Sequence, residues 1–340
     1  SSGIAMVKNS DFILIGDGKT DLKIAGDVMK GIDGIKATDS QVSISGINNF
    51  SISSTKELDT TQVGYGNINA IRGGSAAISI ESNNFTIGDE NSKIVQFASG
   101  ISSSSEDIFI KANNNFKINS VETGINMFTG GNIKVEADTI SINGMGADNQ
   151  EDGSAVGQGI YQGAGYLSLN AKNDINISGP AEGVEFSGTG SNEGDLKSEG
   201  EENWGKADII SQEGNINISS SQFVGISAMI KPMQQFAREV NISAKKDINV
   251  YGADKGVFYE PGSREMDINS EIGNISISSD NIGFLVTSQE RTGSVGTQGR
   301  DVTVEKGELR SNVDISALNG TVKIFGTNKG LVVDNIQVNE

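Results

Sequence analysis

The chain has 340 residues, among them 44 Gly and only 3 Pro, with 35% apolar residues and a net charge of −18. It contains neither Cys nor His, which excludes disulfide bonds, thiolate chemistry, zinc-thiolate sites and any Ser-His or Cys-His catalytic pair. The acidic balance repels nucleic acid and anionic membranes, and no apolar stretch approaches the roughly 20 residues that cross a bilayer.

Low hydrophobicity with high charge suggests disorder on composition alone. The placement of the apolar residues argues the opposite. They alternate with polar ones in short runs, the signature of strands with one buried face, and the runs come in threes. First runs carry Ile13 and Ile15, Val42 and Ile44, Ile78 and Ile80, Ile108 and Ile110, and continue in the same style to Val313 and Ile315. Second runs carry Leu22 and Ile24, Phe50 and Ile52, Phe85 and Ile87, Phe116 and Ile118, and continue to Val322 and Ile324. Third runs centre on Ile35, Ile68, Ile94, Ile125, Ile160, Val184, Ile226, Val257, Phe284 and Leu331, most of them preceded by Gly.

The spacing sets the architecture. First and second runs lie about seven to nine residues apart throughout, and the shortest full repeat, Phe116 to Ile140, spans 24 residues. Three short strands and three bends per repeat describe one coil of a parallel β-solenoid with three faces. About ten coils at ~4.8 Å each predict a rod on the order of 50 Å long, a single domain over 1–340. A barrel or sandwich requires hairpin turns between paired runs, and no such turn recurs here.

The repeat is interrupted at particular corners. Insertions are expected after second runs at 55–62 and 145–158, and after third runs at 100–105, 188–206, 230–238 and 288–311. All flank the third face, while the corner between first and second runs stays bare. Loops on rigid scaffolds are where binding groups are placed, so these insertions supply the candidate ligand-binding residues. The stretch 188–206 carries Glu199, Glu201, Glu202 and Trp204, the only Trp. An exposed Trp is a contact anchor for a sugar ring or a protein; folded down, it is a packing residue. The acids at 193–202 are of the type that holds Ca2+, but they have neither EF-hand nor nonapeptide spacing, and solvated charge is the plainer reading. The loop 230–238 offers Met233 and Phe236, and 288–311 offers Arg291 and Arg300.

Few motifs carry chemistry. Asn-Asn-Phe recurs at 48–50, 83–85 and 114–116, always at the bend between first and second runs. Identical Asn on successive coils are placed to form hydrogen-bonded ladders along the rod. There is no P-loop and no dinucleotide fingerprint. Outward Glu136 and Glu185 read as isolated, so no acid-base pair for glycoside hydrolysis stands out. No catalytic residue, metal ligand or cofactor is assigned.

Runs such as Asp-Ile-Asn-Ile-Ser-Gly and Gly-Asn-Ile-Asn-Ile-Ser resemble the passenger domains of Gram-negative adhesins secreted by the type V route, the monomeric autotransporters and filamentous-haemagglutinin-like proteins. The resemblance covers nearly the whole chain and lies in repeat style rather than in a diagnostic motif. It implies a right-handed β-helix displayed at the cell surface, attaching to host cells, matrix, other bacteria or another copy of itself. Its partners would be a host glycan or protein receptor. Absence of Cys fits export before folding, and absence of heptads speaks against a trimeric stalk. On this reading the chain is a fragment of a longer passenger, anchored through a C-terminal outer-membrane barrel. A carbohydrate-active β-helix enzyme and a structural spacer are the alternatives.

Overall fold

A computed structural model describes residues 4–7, 11–26, 33–38, 40–54, 57, 68–89, 92, 94–103, 106–127, 131–148, 155–163, 165–187, 206–229, 239–259, 265–287 and 312–334. These residues are all-β, with no helix among them, and all strands but two join one continuous parallel sheet. Partners are separated by a whole repeat, from Phe116 opposite Ile140 to Met266 opposite Val313. Each coil therefore lies on the preceding one in parallel register, the arrangement of a solenoid.

Pairing falls into three rows. The first runs through Val42, Ile78, Ile108, Ile133, Leu167, Ala207, Val240, Met266 and Val313. The second runs through Phe50, Phe85, Phe116, Ile140, Ile175, Ile216, Ile248, Ile275 and Val322. The third runs through Ile35, Ile71, Ile101, Ile125, Ile160, Val184, Ile226, Val257, Phe284 and Leu331. Side chains alternate along each strand, so Ile, Val and Leu at every second position merge into one buried core.

Two stretches depart from the sequence expectation. In Phe12-Ile13-Leu14-Ile15 all four residues are apolar, and alternation alone cannot choose a face. Pairing of Phe12 with Val42 and Leu14 with Ile44 turns Phe12 and Leu14 inward, leaving Ile13 and Ile15 66% and 76% exposed. A one-residue slip exchanges the two faces of a strand. Likewise the third row passes through Ile71 and Ile101, not Ile68 and Ile94. Gly100-Ile101 lies inside the strand Phe97–Ser103, so 100–103 are strand rather than insertion. The interruption falls earlier, between Ile78–Ile87 and Phe97–Ser103.

The expected Asn ladder is present. Phe50, Phe85 and Phe116 stack at centroid separations of 5.1 and 5.0 Å. Outside the rings, Asp21 accepts from Asn48 Nδ2 at 3.1 Å and from Asn49 Nδ2 at 2.8 Å. Asn48 accepts from Asn83 at 3.2 Å and Asn49 from Asn84 at 2.9 Å. Asn113 and Asn115 donate to Asn83 and Asn84 at 3.0 and 3.1 Å. A register shift near Asn114 puts Asn113 in its place on the ladder. A second ladder climbs from Asp174 through Asn215, Asp247 and Asn274 to Thr321.

The Gly before most third-row residues is explained by close approach. A Cβ on Gly124 would sit 2.4 Å from the Gly159 carbonyl oxygen, one on Gly159 2.5 Å from that of Gly183, and one on Gly183 2.6 Å from that of Gly225. The column continues through Gly256 and Gly283 to Gly330. Gly183→Ala is expected to destabilise by about 1–3 kcal/mol, because two of the three atoms it would meet are backbone carbonyls of the sheet. A urea midpoint unchanged from that of the parent chain would contradict this close-contact account.

Candidate functional site

Interruptions sort by corner. Between first and second rows the chain either continues as one strand, as in Val42–Ser54 and Asn132–Gly144, or makes a short bend, as between Tyr166–Ala171 and Ile175–Gly179. Long connections flank the third row. They leave Glu182–Ser187 for Lys206–Ser211, Val224–Met229 for Glu239–Ala244, and Ile282–Thr287 for Asn312–Ala317. Ser187 and Met229, where the first two depart, are register partners on adjacent coils.

Glu199, Glu201, Glu202, Trp204, Met233, Phe236, Arg291 and Arg300 lie outside the described residues, as does the acidic stretch 193–202. The structure therefore places the bases of these loops and not the candidate ligand-binding side chains themselves.

On the third row the described residues form a polar cluster that sequence reasoning missed. Its outward column runs Asn126, Tyr161, Glu185 and Ser227 on four successive coils. Thr123 Oγ1 donates to Gln158 Oε1 at 3.3 Å, and Gln158 Nε2 donates to Glu185 Oε2 at 2.9 Å. Glu185, expected to be isolated, is thus tied to the neighbouring coil, and Glu136 pairs with Lys134 at 2.8 Å. Glu185 and Tyr161 are buried; Ser227 is 0% exposed and its Oγ has no hydrogen-bond partner among the described residues. Unsatisfied buried hydroxyls are uncommon.

Glu122 stands at the edge of the same cluster. It is buried, and desolvation pushes its carboxyl from an ordinary 4.5 up to about 7. Among the described residues no cation offsets the burial. Its carbonyl accepts from Gly146 N at 3.3 Å, beside the Met145 N to Val121 O bond at 2.7 Å, where the 145–158 insertion leaves the sheet. That insertion carries the one antiparallel pair among the described residues, Ala147–Asp148 with Ala155–Val156.

Near the N-terminal end, burial raises the Asp33 carboxyl despite hydrogen bonds from Asn69 N and Nδ2 at 3.0 and 3.2 Å. Among the described residues no group of three or more Asp, Glu, His or Cys is placed to hold a metal. A protonated Glu122 has the proton affinity of a general acid near neutral pH. No motif marks Glu122, Gln158 or Glu185, because their contacts join residues a whole coil apart.

No family model matches the chain, and neither a curated protein nor a solved structure matches it.

Proposed function

We propose that the three rows close into a right-handed, three-faced parallel β-helix of about ten coils, and that the chain is the passenger part of a bacterial surface adhesin of the type V secreted kind. Handedness rests on the strong preference of parallel crossovers for the right-handed sense. The adhesin attaches to a host glycan or protein receptor, or to another bacterium, through the third face and the insertions beside it. Its place is the cell surface, with the anchoring barrel on a further part of the protein.

The observation that carries this reading is the one-sided placement of the interruptions. Ten coils leave the first-to-second corner free of insertion, while long connections gather beside the third row. A scaffold that merely tolerated insertion would carry them at every corner; a scaffold with a working side keeps the one corner away from it regular.

Replacing 188–205, 230–238 and 288–311 with short Gly-Ser linkers is expected to abolish binding to epithelial cells and to immobilised host glycoproteins while leaving the far-ultraviolet circular dichroism unchanged. Full binding after removal of all three would sink the proposal. Glu122 favours a second reading, a carbohydrate-active enzyme, and release of reducing ends from soluble polysaccharides by the intact chain but not by Glu122→Gln distinguishes it.

A further inference from the structure

The second row has an outward surface unlike the rest of the chain. None of its outward register positions is Asp or Glu, although the chain carries 44 of them. The corresponding outward positions of the first row include Glu81, Glu136, Asp208, Asp267 and Asp314. Between Lys117 and Lys323 one outward column of the second row consists only of Ser and Asn, with Asn176, Asn217 and Asn249 at its centre. For five coils those register positions carry no charge, with Asp174 and Asp247 just before them, Asp280 just past them, and Lys323 over the Phe325 ring at 5.6 Å.

We propose that this surface binds an uncharged polysaccharide chain lying along the rod, a site separate from the third-row loops. Three observations carry the inference. The first is hydrogen-bonding capacity. Asn217 Nδ2 donates to Asn176 Oδ1 at 2.8 Å, and Asn249 Nδ2 to Asn217 Oδ1 at 2.9 Å. Each amide in that chain keeps a second N–H and a second lone pair. An array that both donates and accepts at every coil matches sugar hydroxyls, which do the same.

The second is a pair of exposed aromatics in the neighbouring column. Tyr251 and Phe325 are 37% and 51% exposed and stand on either side of Ser278 in register. Two coils separate them, about 10 Å, which is the length of two extended pyranose units. The Tyr251 hydroxyl donates to Asp280 at 3.0 Å, just past the end of the next strand, and this fixes the ring. Aromatic faces of this kind pack against the C–H faces of sugar rings.

The third is access and charge. No insertion interrupts the first-to-second corner, so along that edge a polymer meets no loop, and the 145–158 insertion leaves from the opposite edge at Gly144. A neutral chain forfeits no ion hydration here, whereas a second copy brings a further −18 against the −18 of the first.

Electrophoresis of the full chain through native gels containing hydroxyethyl cellulose, galactomannan or dextran tests this, with alginate as the anionic comparison. At least one neutral polymer is expected to retard the protein, and Tyr251→Ala and Ser219→Glu are each expected to weaken that retardation about tenfold. Ser219 faces outward between Asn217 and Tyr251 and stands outside the amide ladder, and circular dichroism verifies that both variants fold. The variant lacking 188–205 should be retarded like the parent, which separates this site from the adhesin reading. Three results overturn the proposal: retardation by none of the neutral polymers, retardation by alginate alone, or retardation undiminished in both variants. A concentration-dependent dimer that Ser219→Glu dissolves would make a second copy the occupant and likewise overturn it.

Discussion

Raising the pH from 5 to 8 is expected to destabilise the folded protein by on the order of 3 kcal/mol, and Glu122→Gln to remove most of that loss. Burial pushes the Glu122 carboxyl up to about 7, while in the unfolded chain it titrates near its ordinary 4.5. Between those values the native state holds a proton that the unfolded state has released. Stability is therefore greatest at and below the unfolded value and falls as pH rises through the folded one. Above about 7 both states are ionised and the full cost of a buried carboxylate is present. Asp33 shifts in the same direction and leaves a residual slope at the acid end. Asp17 and Asp254 shift downward, so their contributions change only at pH values below this window. Urea unfolding of parent and variant at pH 5, 6, 7 and 8 provides the measurement. Parallel curves for the two proteins would show that Glu122 is hydrated in solution and that the pH response lies elsewhere.

Phe85→Ala is expected to cost about 3–5 kcal/mol, the largest effect of any single side-chain truncation proposed for this chain. Phe85 is the middle ring of the stack, fully buried, with Phe50 and Phe116 above and below at near-parallel orientation. Removing it opens a cavity and takes a partner from both neighbours, and paired rings contribute about 0.5–1.5 kcal/mol beyond burial. The sheet holds the backbone at fixed spacing on both sides, so the site has little freedom to collapse. Phe85→Leu keeps most of the volume and should cost less than half as much. Because each coil touches only the adjacent ones, hydrogen exchange should accelerate most in Val42–Ser54 and at the start of Ile108–Met127. Acceleration spread evenly to Val322–Gly326 would instead indicate a single cooperative unit.

The rows were legible in the sequence wherever a run alternated cleanly. Val42 and Ile44, Phe116 and Ile118, and Ile275 and Ile277 are buried where their spacing put them. Legibility failed where the local signal was degenerate. Phe12-Ile13-Leu14-Ile15 has no polar residue to mark a face, and only pairing with Val42 and Ile44 decides it. The usual second-to-third spacing points to Ile94, whereas Gly100-Ile101 carries the Gly that the column of close contacts favours. The polar cluster was invisible for a different reason. Thr123, Gln158 and Glu185 touch across coils of unequal length, so no fixed spacing relates them. Glu122 carries no sequence mark at all, since its burial follows from where the 145–158 insertion leaves the sheet.

The amide ladders have a further consequence. A carboxylate can only accept, so Asp21 obliges Asn48 and Asn49 to turn their N–H groups toward it, and every later amide on that ladder inherits the same orientation. Asp174 imposes the same sense on Asn215, and Asp254 on Asn281 and Asn328. These ladders are thus chemically vectorial: their donors look back toward the N-terminal coils and their oxygens look forward. Asp21, Asp174 and Asp254 place negative charge at the start of their ladders, where the aligned N–H dipoles converge, as an acid does at a helix N-terminus. A coil added in synthesis order meets oxygens already in place, whereas one added in reverse order would have to wait for its acceptor.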